Sequence, residues 1–250
     1  MIGSYNLSFI SDENLYRHVK ETVEKYRFNI NLKKFNKNLI DPIKLTFDAK
    51  IYNKKIEEVI ENEIIRQMDK SNTNHIGYFH QNIFRYFSGN WEVPKNGFDL
   101  INKERKIYVE MKNKHNTMNS SSAQKTYISM QNMILKSADI TCMLVEVIAK
   151  NSQNIPWKIT INSQQFNHDN IRRVSIDKFY ALVTGEEDAF KNLCEVLPIV
   201  LDDVIKNQQT DTIQNSVFKE LNDLSKGNLL KSLYLLSFAK YDGFDTFSFT

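Results

Sequence analysis

A chain of 250 residues, 41% apolar and 25% charged, has enough hydrophobic material to fold unaided as one large globular domain or two small ones. Seven Gly and four Pro exclude a low-complexity or largely disordered chain, and a net charge of +3 is too mild to mark a polyanion-binding protein by composition alone. Two cysteines exclude a disulfide framework and a thiolate zinc site, and the five histidines lack HxxxH-type spacing. The N-terminus MIGSYNLSFI has no charged region leading into an apolar core, and no run approaches the ~18 apolar residues of a membrane span. The chain is therefore expected to be soluble and cytoplasmic, with no membrane partner.

Residues 13–26 place Leu15, Val19, Val23 and Tyr26 on one helical stripe. Lys55 to Lys70 repeats the pattern with Ile56, Val59, Ile60, Ile64, Ile65 and Met68. The aromatic-rich GYFHQNIFRYF (77–87) predicts a further helix ending near Ser88-Gly89-Asn90. Trp91 to Ile101 reads as a first strand and Arg105 to Lys112 as a second, joined by the turn Asn102-Lys103-Glu104. A polar loop is expected over 113–123 and a helix from Gln124 to Lys136, with Tyr127, Met130, Met133 and Ile134 inward.

DITCMLVEVIA (139–149) is the most apolar strand candidate and should be central and buried on both faces. Residues 156–162 and 171–176 give two more strands. Ser175 is the expected cap of a helix that Gly185 should terminate. The acids Glu186-Glu187-Asp188 suit the start of another, which Pro198 should end or kink. Residues 216–240 read as helical, and both Cys142 and Cys194 as buried thiols. The expectation is an α/β fold in a single domain over 1–250, a small central sheet flanked by helices.

Chemistry concentrates between Asp99 and Lys125. On a strand alternate residues share a face, so Ile107, Val109 and Met111 point one way and Tyr108, Glu110 and Lys112 the other. A short turn folds the strand bearing Asp99 back on it, so two carboxylates and one ammonium can meet. That set suits metal-assisted phosphodiester hydrolysis. Carboxylate oxygens hold Mg²⁺, a backbone carbonyl such as that of Met111 adds a ligand, and a lysine orients water or neutralises the transition state. Surface ion pairs on an ordinary hairpin are the competing reading, because an acid, any residue and a lysine is a common pattern. Another copy, Glu104-Arg105-Lys106, sits in the turn with no strand to position it. Between Asn102 and Lys125, six Lys/Arg face two acids, a local excess of positive charge.

Asp99, ten intervening residues and Glu110-Met111-Lys112 resemble the PD-(D/E)XK nuclease superfamily, with Phe98 where the name has Pro. IGYFHQNIF (76–84), DLINKERKIYVEMKNKHNTMNSSSAQKTY (99–127) and VSIDKFYALVTGEEDAFKNLCEVLP (174–198) resemble, more narrowly, the type II restriction endonucleases that cut GGNCC. The resemblance implies a restriction-endonuclease-like core over about 76–176 and a Mg²⁺-dependent enzyme acting on double-stranded DNA as a homodimer. It makes Asp99 and Glu110 metal ligands and Lys112 the catalytic lysine.

The segment after Lys112 is the expected DNA-reading element, with Lys114, His115, Asn116, Asn119, Ser121 and Lys125 as contacts: lysines suit guanine edges and hydroxyls suit phosphates. Gln81 and Glu63 (or Glu61) are candidate auxiliary groups, with packing for the first and a solvated helix face for the acids as their other readings. Two rival functions stay open at this point: a non-catalytic DNA-binding protein on a nuclease-like fold, and a repair or junction nuclease.

Overall fold

A computed structural model describes residues 3–26, 29–115, 117–207, 214–238 and 240. The chain runs through α1 (Asp12–Val23), β1 (Asn29–Ile30), α2 (Leu32–Phe35), α3 (Pro42–Ile51) and α4 (Ile56–Asn82). Then come β2 (Leu100–Asn102), β3 (Ile107–Lys114), α5 (Ser120–Ile134), β4 (Thr141–Ile148), β5 (Asn154–Pro156), β6 (Ile159–Ile161) and β7 (Gln164–Phe166). The chain continues with β8 (Ile171–Ser175), α6 (Ile176–Thr184), α7 (Ala189–Lys206), β9 (Gln214–Asn215), α8 (Val217–Ser225) and α9 (Leu229–Phe238). Packing divides it into two compact units, Met1–Glu24 with Ile76–Gln209, and Lys25–His75 with Thr210–Thr250.

The first unit is built on a mixed five-stranded sheet in the order β2-β3-β4-β8-β5. The three inner strands are parallel, and the edge strands β2 and β5 pair antiparallel with β3 and β8. Strand β4 is central, and Cys142 to Glu146 are all buried, as its near-continuous apolar run requires when helices cover both faces. On one face Ile107, Val109, Met111, Met143 and Val145 pack with Leu15 and Val19 of α1, Phe179 and Tyr180 of α6, and Val200 of α7. On the other, Cys142, Leu144 and Ile171 pack with Tyr127 and Met130 of α5 and with Trp157. Each fully buried Leu, Val or Phe contributes about 1.5–3 kcal/mol, so this double-sided burial is what fixes the strand register.

The second unit has its own core, formed by Leu45 of α3, Val59, Ile60 and Ile64 of α4, Leu221 of α8 and Leu233 of α9. Strands β1 and β9 pair in parallel within it.

Several boundaries differ from the sequence expectation. The first strand is short: only Leu100–Asn102 is regular, with an isolated bridge from Glu92 to Ile101, because Pro94 lacks an amide donor and Gly97 adopts φ 94° between them. The second begins at Ile107, since Lys106 turns left-handed at φ 52°. Strand and helix each shorten the expected 113–123 loop, β3 running to Lys114 and α5 opening at Ser120 behind Asn119. The two helices expected over 55–70 and 77–87 are one 27-residue helix followed by a 3-10 turn, Ile83–Tyr86. Residues 156–162 split between two strands that belong to different sheets.

Gly185 ends α6 left-handed at φ 81°, as expected, whereas Ser175 stands at the N-cap without capping the helix backbone, its hydroxyl bonding the backbone of Gln153. Helix α7 runs through Pro198, which sits on its exposed face, where water can take the carbonyl left without a donor. The inward stripe of α7 is Leu193, Val200 and Val204, which leaves Cys194 exposed, while Cys142 is buried as expected. Ile65 likewise faces solvent. The 216–240 segment is two helices, broken where Lys226 and Gly227 take positive φ.

Candidate active site

The site begins with the β2–β3 hairpin. Leu100 pairs with Val109 and Asn102 with Ile107. Continuing that register by one residue sets Asp99 opposite Glu110. The Met111 amide donates to Asp99 Oδ2 at 2.8 Å, fastening one carboxylate oxygen and leaving the other for a ligand. Glu110 and Lys112 lie on the face away from Met111's buried side chain, and Lys112 Nζ is 2.6 Å from Glu110 Oε1. Both are partly exposed.

Burial pushes the Asp99 carboxyl above its usual pKa and the Glu110 charge pushes it further, against the pull of the Met111 amide and of Lys112. The charged form of Asp99 is thereby disfavoured until a further cation reaches it. The expected group of Asp99, Glu110 and Lys112 is therefore brought together.

Beside it opens a cleft of about 330 Å³. Lys112, Lys114, Lys158 and Arg173 contribute positive charge to its walls, and Thr117 and Ser120 hydroxyls. Lys114 follows Glu110 and Lys112 on the same strand face, and neither it nor Lys158 has an ion-pair partner among the described residues. Arg173 differs. It donates to Glu146 through Nε at 3.0 Å and through Nη2, and Nη2 also donates to His115 Nδ1 at 2.7 Å.

Glu146, paired in register with Lys112, is 1% exposed. Burial alone would raise its pKa, but the Arg173 hydrogen bonds, with His115 beside them, hold it below the usual value. The His115 amide donates to Ile148 O at 2.8 Å, so this residue is pinned by backbone and side chain at the point where the chain leaves β3.

The remaining sequence candidates scatter. Asn119 Oδ1 caps α5 by accepting from the Ser122 amide at 2.8 Å, while Ser121 and Lys125 lie exposed on that helix. Asn116 lies outside the described residues. Gln81 is half-buried near the end of α4. Glu63 belongs to the second unit, where Arg66 and Gln67 hold its carboxylate and keep its pKa low despite burial. Glu61 is exposed on the same helix. Sequence reasoning missed Glu146, Arg173 and Lys158. A single Glu inside the otherwise apolar β4 was the available signal, since a carboxylate buried there needs a cation beside it.

The mixed sheet thus carries an edge hairpin that gathers two carboxylates and a lysine beside a basic cleft. The chain is 34% identical to the type II restriction enzyme Sau96I of Staphylococcus aureus, over 89% of its own length and 90% of that protein. It is 30% identical to the type II restriction enzyme Eco47II of Escherichia coli, over 81% and 89%. The family model described as Eco47II restriction endonuclease matches residues 7–206. The chain belongs to this family and is a site-specific deoxyribonuclease of a restriction-modification system. The non-catalytic and repair readings of the sequence give way to that membership.

Proposed function

We propose that the chain is a Mg²⁺-dependent endonuclease of the PD-(D/E)XK type that cuts both strands of a GGNCC-type palindrome, working in the cytoplasm as a homodimer. Its catalytic core is residues 76–176. The observation that carries the proposal is the hairpin itself, with Asp99 fastened to the Met111 amide and Lys112 on Glu110. A twofold palindrome calls for a twofold protein with one active centre per strand.

The donor set fits the cation. Asp99 and Glu110 offer hard oxygens and the Met111 carbonyl a third. Two carboxylates suit an ion that keeps most of its waters, as Mg²⁺ does, rather than one needing a full protein cage. When bound, the cation supplies Lewis acidity to the scissile phosphate and to the attacking water.

The protein's own groups do the rest. Asp99 and Glu110 fix where the charge sits. Lys112 Nζ orients the water toward phosphorus and neutralises the negative charge that builds on the non-bridging oxygens of the pentacoordinate transition state. Lys114, at the cleft, reads a guanine, and Lys125 and Ser121 contact phosphates. His115 supports this surface through Arg173, and Asn119 by capping α5.

Digestion of phage DNA with the purified protein and Mg²⁺, followed by mapping of fragment ends, tests the reading. Discrete fragments ending at GGNCC are expected. Discrete fragments ending at another sequence would refute the site assignment, and a smear would refute site-specific cleavage.

A further inference from the structure

Helix α3 is apolar on two faces. Pro42 and Leu45 are buried and Ala49 packs against the second unit's core. Along another face, one turn apart, Ile43, Phe47 and Ile51 are 50%, 59% and 69% exposed, and Leu39 just ahead of the helix is 80% exposed. A helix that meets protein on one side and water on the other carries polar residues outward, so an apolar stripe on the outer side calls for a second partner.

We propose that this stripe joins two copies of the chain, α3 packing antiparallel on α3 of the second copy about a twofold axis near Phe47. The proposal rests on the homodimer reading above and gives it a surface.

Three features of the helix favour its own copy as occupant. The stripe is symmetric about Phe47, so a twofold sets Ile43 against the second copy's Ile51 and returns the same contact, as an isologous interface must. Its flanking charge is self-complementary. Lys44 and Asp48 form an ion pair one turn apart on one rim, and antiparallel packing places each Lys44 beside the second copy's Asp48. The antiparallel arrangement also opposes the two helix dipoles, bringing Asp41 at the positive end of one helix toward Lys50 and Lys54 at the negative end of the other. The stripe with Leu39 supplies the apolar centre of such an interface, and the flanking charges its rim.

The test is sedimentation of the full-length protein, free and bound to cognate duplex DNA, for wild type and Phe47→Glu. In parallel, Phe47→Cys in a Cys194→Ser background is oxidised and run on a non-reducing gel. Cys142 is buried and does not interfere. A dimeric wild type, a Phe47→Glu protein whose dimer dissociation constant rises about 30-fold or more, and a disulfide-linked dimer of the Phe47→Cys protein are expected. Should Phe47→Glu fail to fold, the cross-link in Phe47→Cys decides. A dimeric wild type with no cross-link and an unaltered Phe47→Glu dimer would overturn the α3 interface and leave the homodimer standing elsewhere. A wild type that stays monomeric with and without DNA would refute the homodimer reading and this surface together.

Discussion

Asp99, the proposed metal ligand, shows how a buried carboxyl can oppose the stability of its own fold. Its pKa is raised by burial and then by Glu110, so the folded protein favours the neutral carboxyl. The contribution of a raised carboxyl is favourable below its unfolded pKa and is lost as pH rises through its folded pKa. Above that point an ionised Asp99 is a cost until a cation relieves it. Asp99→Asn removes the titration and keeps an oxygen for the Met111 amide. Without divalent metal it should melt at a higher temperature than wild type at pH 8, with the difference vanishing below the ordinary carboxylate range. Melting curves across pH check this, and a lower Tm for Asp99→Asn at pH 8 would contradict it.

The Glu110 and Lys112 faces were legible because strand alternation is a local property, readable from five consecutive letters. The partner of Glu146 was not, because Arg173 lies 27 residues away in sequence and the two meet only when β4 and β8 pair.

At the scale of elements, the Glu146–Arg173–His115 cluster ties the central strands to the start of the loop that precedes α5. Removing one partner of a buried pair leaves a desolvated charge, at about 3–5 kcal/mol. Arg173 keeps some solvent access, so Glu146→Ala should lose about 3 kcal/mol, measured by urea unfolding at pH 7. The sign of the pH dependence follows from the lowered Glu146 pKa. Its stabilisation is present above the unfolded carboxylate pKa and fades as pH falls through the folded value, so the gap between wild type and Glu146→Ala should narrow in acid. A gap that held constant into acid would show that the charge is not what Glu146 supplies.

Element types were legible where periodicity was long, as in α1, β3 and β4. Boundaries were missed where backbone chemistry decides them: Lys106 at positive φ, Asn119 capping an α5 that opens at Ser120 rather than at the expected Gln124, and Pro198 tolerated on a wet helix face.

For the molecule as a whole, the proposed function joins a basic cleft to a charged hairpin. Lys114 and Lys125 should separate two kinds of contact. Lys114→Ala should cost ~1–3 kcal/mol on the cognate site and little on random DNA, as for a lost base contact. Lys125→Ala should weaken binding to all sequences and reduce the slope of log K against log salt by about one unit. Fluorescence anisotropy over a salt series measures both, and unchanged values for both variants would move DNA reading to another surface. The most direct test of the central claim is single-turnover cleavage of a GGNCC duplex in Mg²⁺ by wild type and Lys112→Ala, with DNA binding measured separately in Ca²⁺. Ca²⁺ accepts the same carboxylates but activates water poorly, so it should support binding without cutting. With Lys112 acting on the attacking water, Lys112→Ala should bind the duplex as wild type does and cleave at least ~10²–10³-fold more slowly. Cleavage at the wild-type rate by Lys112→Ala would place the active site elsewhere.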